Sequence, residues 1–140
     1  MTRKGRAKSV NSAFGADRLK LARAYLKAAR NEVLLVEPGD IGNAAMSQVV
    51  NAAIAFTDAL TATYAGRANQ QDHAAAVKAL RDALGNRLPT AQETNLSRIL
   101  GEKDEVQYGT RPRSTADAQS LLARLEEFAS WAEAEMARPK

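Results

Sequence analysis

Cysteine is absent from this chain of 140 residues, and histidine occurs once, as His73. The first absence excludes a disulfide scaffold, a thiol nucleophile and any cysteine-ligated zinc or iron–sulfur centre. The second excludes, within one chain, a histidine-rich metal site and a two-histidine acid–base pair. No Gly-rich phosphate loop, G-x-S-x-G turn, His-x-x-x-His or Glu-x-x-His occurs, so nucleotide-binding α/β folds, serine hydrolases and di-metal bundles find no template here. No cofactor and no metal are expected. No apolar run reaches the roughly 18 to 20 residues that span a bilayer, and no membrane partner is expected.

Alanine is abundant. It occurs 29 times, against 10 for valine and isoleucine together, a ratio that favours helix over sheet. The length suits one domain, large enough to fold without a metal or a disulfide. The expected fold is all-α, an up-and-down bundle of about five helices.

Charge is uneven. The net charge is +4, and Arg3, Lys4, Arg6 and Lys8 supply that excess within the first eight residues. Residues 1–15 therefore read as a flexible basic tail, and 16–138 as the folded domain. Such an arm can touch phosphates in a salt-sensitive way. No apolar stretch follows it, so it is not a secretory signal, and a cytoplasmic location is expected.

The first helix is expected from about Ala16 to Leu35, with Leu19, Ala22, Tyr25 or Leu26, Ala29 and Val33 as its buried stripe and Arg18, Lys20, Arg23, Lys27 and Arg30 on the other face. Glu37-Pro38-Gly39-Asp40 breaks it. The second, Gly42 to Ala65, is apolar nearly all round and reads as the central element. Its Ser47, Asn51 and Asp58 share one face. The third runs from Asp72 to Leu84 and stops at Gly85-Asn86. Thr90-Ala91-Gln92-Glu93 is a capping box that opens the fourth, whose stripe of Leu96, Ile99 and Leu100 continues to Lys103 and Val106. A loop from Tyr108 to Arg113 precedes the fifth, which Ser114 to Asp117 opens and Leu121, Leu125, Phe128, Ala132 and Met136 line. Glu126, Glu127, Glu133 and Glu135 are expected on its solvated face.

A few polar residues stand out. Asp58 and Lys103 lie on otherwise apolar faces, where an unpartnered charge is costly; Asn51, Asp58 or Asp72 are the candidate partners of Lys103. His73 follows Asp72 at a helix start, where the helix dipole disfavours an added proton. Arg67, with five residues between it and His73, supplies a cation that could stabilise phosphate charge while the imidazole moves a proton.

Taken in order, three stretches resemble the HEPN superfamily of small helical bundles. They are the Ala-rich Met46-Ser47-Gln48-Val49-Val50-Asn51-Ala52-Ala53-Ile54-Ala55, the histidine before a helix in Asp72-His73-Ala74-Ala75-Ala76-Val77, and Lys103-Asp104-Glu105-Val106-Gln107-Tyr108-Gly109 before the last helix. Many members carry Arg-x-x-Ala-Asp-Tyr in the third place; here Lys103, Val106 and Gln107 replace the arginine, alanine and aspartate, and Tyr108 matches. The resemblance covers about Ala16 to Ala137. It implies a side-by-side homodimer and a partner such as a nucleotidyltransferase, a nucleotide or RNA, within a toxin–antitoxin or defence-type system. Ribonuclease members use an arginine and a histidine in the later helical part of the domain, and the segment from Ser114 onward has no histidine. The leading expectation is therefore a non-catalytic binding bundle with Asn51, Asp58, Asp72, His73, Lys103 and Tyr108 as a polar or ligand-binding cluster. The alternatives are a metal-independent ribonuclease using His73 with Arg67 or Lys103, a purely structural interaction module, and a nucleic-acid binder working through the tail.

Overall fold

The computed structural model describes residues 7–69 and 73–139. It is an all-α bundle. Helix α1 spans Ser12–Leu34, α2 Asn43–Ala65, α3 His73–Leu84, α4 Thr90–Leu100, α5 Lys103–Tyr108 and α6 Thr115–Ala137. A 3-10 turn, Gly85–Arg87, joins α3 to α4.

Two boundaries differ from those expected. The folded part begins before residue 16. Asn11 caps α1 by accepting the Phe14 N–H at 3.1 Å, so the helix starts at Ser12. Ahead of it, β1 (Ala7–Ser9) pairs antiparallel with β2 (Arg67–Asn69), with Lys8 opposite Ala68. Strands of three residues carry no periodic pattern, and the sequence reads there only as a tail and a polar linker. Arg3, Lys4 and Arg6 lie outside the described residues. The second difference lies in the fourth helix, which ends at Leu100. Gly101 N–H turns back to Ser97 O at 2.9 Å and Glu102 N–H to Ile99 O at 3.1 Å. Lys103 therefore opens a separate short helix and does not interrupt an apolar stripe.

Helix α2 is central, as its all-round apolar character requires. Fourteen of its 23 residues are buried, and it packs against each of the other helices. Phe56, Leu60 and Met46 from α2 meet Phe128 and Leu125 of α6, Leu80 of α3, and Leu96, Ile99 and Leu100 of α4 in one core. Small residues set the α1–α2 distance: a Cβ on buried Gly15 would lie 2.9 Å from Thr63 Oγ1 and 3.3 Å from Ala59 O. Gly42 lies against the start of α6. Its N–H donates to Arg113 O at 2.7 Å, and a Cβ there would strike the Ser114 carbonyl. Contacts at two levels show that α1 runs antiparallel to α2 (Gly15 by Thr63, Arg18 by Asp58) and to α6 (Arg23 by Glu133, Arg30 by Glu126), and α4 antiparallel to α6 (Asn95 by Glu127, Arg98 by Ser120).

Candidate functional site

The residues singled out in the sequence fall into separate pairs. Asp58 is buried on α2 and faces α1, where Arg18 Nη2 lies 3.1 Å from its carboxylate. Burial pushes the Asp58 carboxyl up to about 6, against the pull of Arg18. The buried Arg18 Nε has no hydrogen-bond partner among the described residues. Asn51, two turns earlier on α2, accepts from Gln107 Nε2 of α5 at 3.2 Å. Lys103 Nζ lies 5.2 Å from the centre of the Tyr108 ring, within cation–π range, and Tyr108 is 73% exposed. The structure thus brings Asn51 against α5, the helix that carries Lys103 and Tyr108, and gives Asp58 to Arg18. Neither Asp58 nor Asn51 forms an ion pair or hydrogen bond with Lys103. Arg67 is exposed on β2. His73 is the first residue of α3; its side chain, and Asp72 entirely, lie outside the described residues.

The acidic face expected on α6 needs correction. Glu135 is 3% exposed. It accepts the Tyr64 hydroxyl at 2.6 Å and pairs with Arg87 at 3.6 Å and Arg138 at 3.3 Å. The sequence signal was its spacing: Glu135 stands seven residues after Phe128 and fourteen after Leu121, on the buried stripe. Glu126 and Glu133 lie in the α1 seam, where Arg30 and Arg23 hold them through paired bonds of 2.6 to 2.7 Å. Both glutamates keep more than a third of their side-chain surface in water and Glu127 is exposed, so only Glu135 leaves the solvated face.

Helix α1 carries a second apolar stripe that points away from the bundle. Leu21, Ala24, Ala28 and Leu35 recur at steps of three, four and seven. Leu21 and Ala24 are exposed, Ala28 is half-buried and Leu35 is 76% exposed. The turn beyond adds Leu34, 78% exposed, with Val36 and Ile41. Below Leu35, Val36 and Ile41 lies a recess of about 260 Å³ floored by Ala45 and Ala118. Sequence reasoning assigned one stripe to α1 and missed this one, although the seven-residue spacing was legible.

Among the described residues, no group of three His, Asp or Glu stands where it could hold a metal ion, and no helix is long and apolar enough to cross a membrane. No protein-family model matches the chain, and no curated protein matches it.

Proposed function

We propose that this chain is a HEPN-like binding module that works by association, first with a second copy of itself, and not by catalysis. The observation that carries the reading is the outward stripe of α1. Leu21 and Leu35 stand equally far from Ala28. A two-fold, antiparallel pairing of two α1 helices therefore sets Leu21 of one copy beside Leu35 of the other, with Ala28 on Ala28 at the crossing. Small residues there allow close approach, and the leucines supply the area that drives association. The apolar cluster at the end of α1, Leu34, Leu35, Val36 and Ile41, is costly to leave in water. The HEPN resemblance supports the same reading, since side-by-side pairing is what it implies. The separation of Asp58, Asn51 and Lys103 into different pairs also fits binding better than proton transfer. In such a dimer the exposed Tyr108 remains for a nucleotide, RNA or protein partner.

Light scattering and sedimentation of the whole chain test this. The expected result is a dimer that a Leu21→Glu/Leu35→Glu double variant converts to a monomer without unfolding. A wild-type chain that stays monomeric at high concentration would overturn the pairing. So would a dimer that the double variant leaves intact.

A further inference from the structure

On the far side of α6 from α1 lies a cleft of about 400 Å³, within the usual range for small-molecule sites. Arg98 of α4 lines one wall; Ser120 and Arg124 of α6 line the other. Met46 and Leu121 touch its floor. Arg113 stands at one end, with Glu102 at 2.6 Å and Asp117 at 3.3 Å. Its guanidinium meets both carboxylates, and the three groups together carry a net charge of −1.

Arg98 and Arg124 are different. Neither has a carboxylate within ion-pair distance among the described residues. Arg18, Arg23, Arg30, Arg81, Arg87, Arg113 and Arg138 all have one. The cleft lining carries three arginines against two carboxylates, Glu102 and Asp117, a net charge of +1, and the two arginines outside the Arg113 ion pairs are the groups left to attract an anion. Arg124 is also held in place. Its Nη1 donates to Asn95 Oδ1 at 3.0 Å, and buried Asn95 is in turn fixed by its Nδ2 donating to Gln92 Oε1 at 3.1 Å. One of the five guanidinium donors is used in this way, and the rest of the planar fork stays open. Ser120 stands one turn before Arg124 on the same helix face and adds a hydroxyl.

We propose that this α4–α6 cleft binds a small phosphate monoester, its phosphate held between Arg98, Arg124 and the Ser120 hydroxyl. The planar guanidinium fork matches a phosphate edge in bidentate geometry. A bare phosphate ion fills only part of the volume, and the rest, above Met46 and Leu121, takes the organic half of the ester. The cleft is distinct from the α1 stripe, so this site and the self-association stand or fall separately.

Calorimetric titration of the full chain with phenyl phosphate, inorganic phosphate and a short single-stranded RNA lacking terminal phosphates tests the proposal. Phenyl phosphate is expected to bind saturably at one site, more tightly than inorganic phosphate. Arg98→Gln and Arg124→Lys should each weaken it about ten- to a hundred-fold, the worth of a charged hydrogen-bonded contact. The lysine keeps the charge and loses the fork. Arg111→Gln, which removes an equal charge outside the cleft, should leave binding unchanged. An unaltered melting temperature in each variant keeps folding out of the comparison. The absence of saturable phenyl phosphate binding would overturn the proposal. So would an Arg111→Gln effect as large as that of Arg98→Gln, or an RNA that displaces the ester and binds more tightly.

Discussion

Helices α1 and α4 flank α6 on opposite sides, and their arginines are treated in opposite ways. On α1, Arg18 meets Asp58 of α2, and Arg23 and Arg30 meet Glu133 and Glu126 of α6. On the other side, Arg98 of α4 and Arg124 of α6 form no ion pair among the described residues, although Glu102 and Asp117 line the same cleft and are both given to Arg113. Ion pairs close the α1 seams; among the described residues the α4–α6 seam has none, is joined by Asn95 to Arg124 and Glu127, and is open only at the cleft. A closed seam spends its charges on holding helices together. An open one holds interaction energy in reserve, at some cost in stability, for whatever enters it.

The sharpest way to break this comparison is to open the buried seam. Asp58→Leu leaves the Arg18 guanidinium facing the interior without its carboxylate, and should lower stability by about 3 kcal/mol, read by denaturant melts. The double variant Arg18→Met/Asp58→Leu should recover most of that loss, because paired removal also removes two desolvation costs. The pair carries a pH signature as well. Burial raises the Asp58 carboxyl from 3.8 to about 6 in the folded chain, so the folded state binds that proton more tightly than the unfolded state. Its contribution to stability therefore falls as pH rises from about 4 to about 6, and is flat above, by up to roughly 3 kcal/mol. Glu93 and Asp117, lowered by hydrogen bonds from Arg81 and Arg113, run in the opposite sense. The difference between wild type and the double variant isolates the Asp58 share. A difference curve with no slope between those pH values would refute the buried-pair reading.

The exposed seam should be worth much less. Glu126 and Glu133 are each more than one-third exposed in their ion pairs, and pairs of that kind contribute about 0.2 to 1 kcal/mol each. Glu126→Gln/Glu133→Gln should cost about 1 kcal/mol at low salt and less at high salt. A loss matching that of Asp58→Leu would mean that the bidentate geometry, and not burial, sets the strength of the α1 seams.

Much of this architecture was legible in the sequence. Helix α2 declares itself by lacking lysine and arginine from Ala44 to Leu60, and a helix without a wet face must sit in the middle. Gly85, Pro89 and the Ser114 cap mark ends that the structure keeps within a residue or two. The β1–β2 ribbon was not legible, because its pairing joins residues some sixty apart and its strands are too short to alternate. The candidate site was less legible still. Asp58 stood out correctly as a charge needing a partner, but the partner, Arg18, read as part of the solvated face of α1. Which charge on one amphipathic helix faces a neighbour depends on packing angles, and a single helix does not encode them. Arg98 and Arg124 gave no signal, since each is an ordinary polar-face residue until α4 and α6 are brought together.

The smallest effect is the one that bears most directly on the open seam. Arg98→Glu places a carboxylate on the α4 wall, in the cleft that holds Arg124. If the two arginines repel each other across an unfilled cleft, the exchange turns repulsion into attraction. Arg98 lies in the last turn of α4, four residues before Glu102, so the exchange alone costs a few tenths of a kcal/mol. Made beside Arg124 it should cost a few tenths of a kcal/mol less than in an Arg124→Gln background, the usual scale for an exposed pair. The same exchange should abolish phenyl phosphate binding. Both readouts must depend on Arg124, which a merely solvated arginine does not predict: without repulsion the exchange costs the same in either background. Melting curves and titrations in the two backgrounds therefore decide whether the α4 seam is open by accident of surface composition or because a ligand is meant to close it.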